Sequence, residues 1–243
     1  MDLGIAGKAA LVTAGSKGLG RGSAEALAAE GVSVAICARG KEALEETADA
    51  IRDAGGTVLA IEADVNQPDA PAELVRQTVD AFGRLDILVA NTGGPKPGRA
   101  LDVDDESILG AVNDNLLTMV RLTRSSLPHM RANGWGRVCM IASASLRVPI
   151  PDLTLSNITR TGLLAWCKTA AQDVRDEGIT VNLACPGMHL TERVKQLGHA
   201  SPNFPMGDAG DFGKVVAFLC SEPAKFINGA ALSVDGAGFN SLL

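Results

Sequence analysis

The chain has 243 residues, of which 46% are hydrophobic, with 22 basic against 28 acidic side chains and a net charge of −6. That length and composition suit one α/β domain with a sizeable core and exclude global disorder. No long basic run points to nucleic acid, no apolar stretch is long enough to span a bilayer, and Met1-Asp2-Leu3-Gly4 lacks the regions of a signal peptide, so a cytoplasmic protein acting on a small molecule, with neither nucleic acid nor membrane as partner, is expected.

Short apolar runs alternate with segments of helical period. Strands are predicted at Ala9–Thr13, Ser33–Ala38, Val58–Ile61, Ile87–Ala90, Arg137–Ala142, Thr180–Ala184 and Ala231–Val234. Helices are predicted between them, near 19–30, 41–54, 69–82, 104–132, 153–176 and 210–221. Several strands read as continuous apolar runs, as strands covered on both faces do. This rhythm specifies a doubly wound, parallel, Rossmann-like α/β sheet of about seven strands with helices on both faces. With no linker or internal repeat in sight, residues 1–243 read as a single domain. Residues 186–209, rich in Pro and Gly after a strand end, read as a loop with a short helix, placed as a substrate lid near 188–209.

The five cysteines, Cys37, Cys139, Cys167, Cys185 and Cys220, form no CxxC and read as small core residues of a reduced protein. No metal site is expected. Arg121, Arg124, His129, Arg131 and Arg137 cluster with the spacing of a solvated helix face.

The strongest local signal is Thr13-Ala14-Gly15-Ser16-Lys17-Gly18-Leu19-Gly20, between the first strand and the first helix. Glycines there permit a tight turn and bring backbone N–H groups to a pyrophosphate at the positive end of a helix. The second strand ends Cys37-Ala38-Arg39, and no Asp or Glu lies between Val32 and Gly40. An acid there would accept from the ribose 2′-OH of NAD; Arg39 instead suits a 2′-phosphate, with Lys17 as a second cation. NADP(H) is therefore expected ahead of NAD(H).

These motifs resemble those of the short-chain dehydrogenase/reductase family over nearly the whole chain. Thr13 to Gly20 is similar to that family's TGxxxGxG loop. Asp64-Val65 resembles its adenine-contacting pair, and Asn91-Thr92-Gly93-Gly94 stands where the family has NNAG. Asn115 falls at the helix asparagine that supports a water-linked proton relay, and Ser143 at the catalytic serine. Cys185-Pro186-Gly187 and Thr191 resemble the PG motif, whose threonine holds the nicotinamide carboxamide, and Asn228-Gly229 and Asp235-Gly236 resemble the C-terminal segment. Within the family the general look is that of 3-oxoacyl-carrier-protein reductases and similar carbonyl reductases. The resemblance implies homodimers or homotetramers built through the helices near 104–132 and 153–176.

The chemistry departs from that pattern. The family's reductases use Tyr-x-x-x-Lys, in which the phenol donates a proton and the lysine lowers its pKa and holds the nicotinamide ribose. This chain has no tyrosine; Ser156 stands at the tyrosine position and Arg160 at the lysine position. The i, i+4 spacing keeps both on one helix face. Arginine cannot give up its proton, and serine is a far weaker acid than a phenol. Three readings stay open. Ser143 and Ser156 could bind a carbonyl oxygen with Arg160 stabilising the alkoxide, the proton arriving through water past Asn115. His189 or Asp152 could be the donor. Hydride transfer could be lost, leaving a dinucleotide-binding protein with a non-redox or regulatory role.

For the substrate, a hydrophobic or acyl carbonyl compound is expected. Its cleft would be walled by the loop 92–103, with Lys96 and Arg99, and opposite it by the segment 146–153. Met188, Leu190, Val194, Leu197, Phe204 and Met206 would close over it.

Overall fold

The computed structural model describes residues 1–196 and 206–240. Seven strands, β1 (Ala9–Thr13), β2 (Ser33–Ala38), β3 (Val58–Glu62), β4 (Ile87–Ala90), β5 (Gly136–Ile141), β6 (Ile179–Pro186) and β7 (Ala231–Val234), form one sheet in the order β3-β2-β1-β4-β5-β6-β7. Every pairing is parallel. The order reverses between β1 and β4, and such a switch point opens a crevice at the carboxyl ends of the strands.

Alternation along each strand builds two cores. Leu11, Leu88, Ala90, Val138 and Met140 face one side, where α3 (Ala70–Phe82), α5 (Thr118–Asn133) and α6 (Thr154–Asp173) add Leu74, Val75, Met119, Leu122, Leu163 and Cys167. Ala10, Val12, Ile87, Val89, Cys139 and Ile141 face the other, where α1 (Gly18–Ala29), α2 (Lys41–Asp53) and α8 (Ala209–Leu219) add Leu27, Leu44, Ile51, Phe212 and Val216. Strands sandwiched this way need apolar residues on both faces, hence their continuous apolar runs. All five cysteines are buried free thiols, and burial pushes Cys37, Cys167 and Cys185 up to about 12, away from nucleophilic use.

Two expectations change. The helix predicted over 104–132 is three pieces: α4 (Asp105–Val112), a π-helical turn at Asn113–Leu117, and α5. Asn113, Asp114 and Asn115 are weak helix formers, and the Thr118 N–H reaches back to the Asn113 carbonyl, accommodating one extra residue in the turn. Arg137 is not on a solvated helix face. It belongs to β5 and is buried under the amino ends of the strands. There its guanidinium donates to the carbonyls of Ser221, Gly136 and Gly178, pairs with Glu222 at 3.1 Å, and lies 4.2 Å from the Trp135 ring centre. The remaining short helix, α7 (Glu192–Gln196), falls in the loop after β6.

Candidate active site

The turn after β1 is positioned by tight backbone contacts. Thr13 Oγ1 donates to the Asn91 carbonyl at 2.7 Å and accepts from the Asn91 N–H at 2.8 Å, pinning the ends of β1 and β4 together. The Gly15 N–H bonds the Cys37 carbonyl at 3.0 Å. A Cβ on Gly20 would lie 2.2 Å from the Ala14 carbonyl oxygen and 3.0 Å from Asn91 Nδ2, so only glycine fits there. The glycines fall at 15, 18 and 20, so Ala14 occupies the first glycine position of TGxxxGxG; it adopts φ +47°, a conformation that L side chains rarely take. Helix α1 starts beyond Lys17 with no side-chain cap and no acid in its first turn. Its first N–H groups are therefore free to meet an anion, which fits the pyrophosphate of a dinucleotide.

Two neighbouring cavities share this turn. One, of about 340 Å³, is lined by Ser16, Lys17, Arg39, Asp64, Val65 and Gly93. Asn66 also lines it and was not singled out from the sequence. Among the described residues no carboxylate lies within ion-pair distance of Lys17 or Arg39, so both charges remain available. The other, of about 410 Å³, runs from Ser16, Lys17, Gly18 and Leu19 past Asn91 and Gly93 to Ser143, Ser156, Arg160, Pro186, Gly187 and Thr191. The structure thus brings the sequence-predicted residues to these two cavities, with Arg39, Asp64 and Val65 lining the first alone, except Gly15, Gly20 and Asn115, which line neither.

The cleft floor is held by a polar chain. Asn115, 1% exposed inside the π turn, accepts through Oδ1 from Arg160 Nη2 at 3.1 Å and from Thr92 Oγ1 at 3.2 Å. Arg160 Nη1 also donates to the Ile141 carbonyl at 3.3 Å and touches Met119 Sδ at 3.7 Å. Its Nε has no partner, and no carboxylate pairs with it among the described residues. Burial pulls this guanidinium down to about 10, which leaves it charged at neutral pH. Ser156 Oγ lies 3.1 Å from Ser145 Oγ, and Ser143 Oγ accepts from the Ser145 N–H at 3.1 Å. Ser145 thus links the two serines. Sequence reading missed it; the Ser-Ala-Ser repeat after β5 was the available signal. Thr92 was also missed, because its hydroxyl matters only once the π turn brings Asn115 to it.

Three other expectations are settled by geometry. His189, a candidate donor, is 4% exposed, lines the cleft, has Nδ1 3.3 Å from the Gly187 carbonyl, and stacks edge-on against Phe212. Asp152 does not line the cleft; its side chain is exposed and lies 3.9 Å from Arg99. The loop 92–103 and the segment 146–153 are not opposite walls. They are joined at Gly98 and Leu153, where the Gly98 N–H bonds the Asp152 carbonyl and the Thr154 N–H bonds the Gly98 carbonyl. Gly93, Gly94, Pro95 and Leu153 line the cleft, while Lys96 and Arg99 do not. Of the apolar residues expected to close over it, Val194 lines the cleft and Leu190 is exposed. Leu197 and Phe204 lie outside the described residues.

Comparison with known proteins agrees with this geometry. Residues 13–240 match a family model described as enoyl-(acyl carrier protein) reductase. A 3-oxoacyl-[acyl-carrier-protein] reductase of Staphylococcus epidermidis is 30% identical over 238 residues, covering 94% of this chain and 98% of that protein. An uncharacterized oxidoreductase of Mycobacterium tuberculosis is 31% identical over 240 residues, covering 94% of this chain and 91% of that one. The crystal structure of L-sorbose reductase from Gluconobacter frateurii, complexed with NADPH and L-sorbose, superposes with a TM-score of 0.92 at 30% identity over 100% of both chains. With its parallel seven-stranded sheet, glycine turn and cleft at the switch point, the chain belongs to the short-chain dehydrogenase/reductase family of oxidoreductases.

Proposed function

We propose that the protein is an NADP(H)-dependent oxidoreductase that reduces a carbonyl compound of small hydrophobic or acyl type, working without the phenol of its relatives. The observation that carries this reading is the continuity of one cleft, from the uncapped start of α1 to Ser143, Ser156 and Arg160. NADP(H) over NAD(H) is supported by Arg39 and Lys17 beside the adenosine-side cavity, which pair with no carboxylate among the described residues, and by the NADPH held by the L-sorbose reductase.

The nicotinamide, when bound, supplies the hydride. The Ser143 oxygen is already accepting from Ser145, so its O–H is free to donate to a carbonyl oxygen in the cleft. Ser156 and Ser145 share one hydrogen bond, which orients a second hydroxyl at the same floor. Arg160 sets a fixed positive charge against the oxygen that becomes negative, the kind of preorganised stabilisation that carries much of enzymatic rate enhancement. Ile141, Leu153, Pro95 and Val194 give the cleft its apolar lining. Thr191 packs over Gly18, where it can meet the nicotinamide end of the cofactor. Assembly as a homodimer or homotetramer is supported by exposed Leu109, Leu117 and Ile158 on α4, the π turn and α6. A cytoplasmic setting is supported by the five free thiols.

The test is a titration with NADPH and NADH followed by nicotinamide fluorescence, and then a broad carbonyl panel. Tighter NADPH binding and loss of absorbance with substrate are expected. Tight binding with no consumption by any substrate would transfer support to a non-redox or regulatory role.

A further inference from the structure

Arg160 is a buried cation whose described partners are all neutral. Its contacts with Met119, Ile141 and Asn115 run through the two Nη groups, and its Nε–H has no partner. A guanidinium carries more donors than these contacts use, in a fork that matches a carboxylate. A buried charge left without a counter-charge is unfavourable, and an anion arriving in the cleft relieves it. The cleft floor is thus suited to receive negative charge.

The described residues supply none there. The described charged or titratable groups lining the cleft are Lys17, Arg160, His189 and Glu192. Glu192, the one carboxylate among them, pairs with Lys195 at 2.8 Å in α7. The pyrophosphate of a bound dinucleotide belongs at the start of α1, beside Lys17. On the reading above, Ser156 stands where the family has a phenol, which can ionise and balance a neighbouring cation; a serine hydroxyl cannot. Building on that hydride-transfer reading, we propose that the substrate brings the missing charge: a 2-oxo acid with an apolar tail, whose carboxylate sits against Arg160 and Ser156 while its ketone oxygen accepts from Ser143.

The rest of the cleft fits that shape. Ser143 Oγ accepts from the Ser145 N–H at 3.1 Å, and Ser156 Oγ lies 3.1 Å from Ser145 Oγ. Two hydroxyls tied to one residue suit two oxygen-bearing groups on adjacent carbons. A serine at position 156 leaves room for the carboxylate, and Ile141, Leu153 and Val194 line the cleft for the tail. Hydride from NADPH forms a C–H bond at the ketone carbon, the C=O π pair moves onto oxygen, and water supplies the proton. One 2-oxo acid, one NADPH and one proton give one 2-hydroxy acid and one NADP⁺. The new alkoxide forms beside the carboxylate, and the same guanidinium offsets the repulsion between them. A neutral ketone leaves Arg160 without a counter-charge until the alkoxide forms.

The experiment offers the full-length protein NADPH with 4-methyl-2-oxopentanoate, its methyl ester and its primary amide. All three carry the same tail and ketone, and the ester's ketone is the more reactive in solution, so a preference for the acid comes from the site. The acid should give the 2-hydroxy acid with kcat/KM above that of the ester or amide by about 10-fold or more, the worth of a hydrogen bond between charged groups. Arg160→Gln should abolish that preference and Arg160→Lys should keep most of it. An ester that reacts as fast as the acid, or a folded Arg160→Gln protein that slows acid and ester alike, overturns this inference and leaves the reductase reading intact. A second readout needs no turnover. In calorimetry, 2-hydroxy-4-methylpentanoate should bind the NADP⁺ complex about 10-fold or more tighter than its amide, and Arg160→Gln should erase the difference. Such charge-dependent binding with no NADPH consumed by any carbonyl compound would overturn the reductase reading and keep the carboxylate seat; equal binding of acid and amide would sink the seat.

Discussion

The dinucleotide cradle and the cleft floor stand side by side at the carboxyl edge of one sheet, but they are built from different parts. The cradle is mostly backbone: a turn at Gly15, Gly18 and Gly20, and the free N–H groups that start α1. Alanine takes a glycine position there, at Ala14, and its backbone adopts the left-handed φ of +47°. The floor is mostly side chains. On the proposed reading, Ser156 and Arg160 take the places of tyrosine and lysine on one helix face, and the ability to give a proton goes with the phenol. Replacement in a backbone-built site shows up as strain, whereas replacement in a side-chain-built site shows up as different chemistry.

The comparison breaks most visibly if the cradle proves tolerant. Gly20→Ala would set a Cβ 2.2 Å from the Ala14 carbonyl oxygen, and either the turn or α1 must move. NADPH affinity should fall by about 100-fold or more, with a stability loss of about 3 kcal/mol. Fluorescence titration and thermal unfolding measure the two; near-normal binding would mean that the turn is softer than its packing implies.

A middling effect tests the floor. Arg160→Met removes a buried charge that pairs with no carboxylate among the described residues, so the cofactor-free protein should gain about 1 to 3 kcal/mol at neutral pH even as turnover falls. The pH dependence has a definite sign. Desolvation on folding lowers the Arg160 pKa from the ordinary arginine value to about 10. Between those values the unfolded chain binds the proton more tightly, so wild-type stability rises with pH there. The penalty is whole below pH 10, and the gap between variant and wild type should narrow only above it. A gap that stays level from neutral pH to 11 in denaturant unfolding would show that the guanidinium is solvated after all.

The smallest effect returns to the cradle. Ala14→Gly should relieve the left-handed strain and raise stability by roughly 0.5–1 kcal/mol with NADPH binding unchanged. Lower stability would show that the alanine methyl makes a contact worth more than the strain.

The sheet was legible because strands buried on both faces must be apolar throughout, and all seven predicted strands are present within a residue or two. The glycine turn was legible because only glycine fits the close approach at position 20. The π turn was not, since a helical period reads almost the same across one inserted residue, and without it Thr92 and Asn115 have no reason to meet. Ser145 escaped notice because its role is to join two serines 13 residues apart in the chain. Arg137 looked solvated because charge alone does not reveal that the ends of several segments converge to supply carbonyls for it. The loop 92–103 and the segment 146–153 looked like facing walls because the bridge between Gly98 and Leu153 is invisible in either stretch alone.

By itself, then, the sequence determined the doubly wound sheet, the place of the dinucleotide turn and the absence of any tyrosine, since each follows from local pattern or from residue identity. Only the tertiary structure decided that Arg160 is a buried cation without a counter-charge among the described residues, that His189 is packed rather than exposed, and that three serines share one floor. Burial and partnership depend on what distant segments bring to the same few ångströms, and no local pattern carries that information.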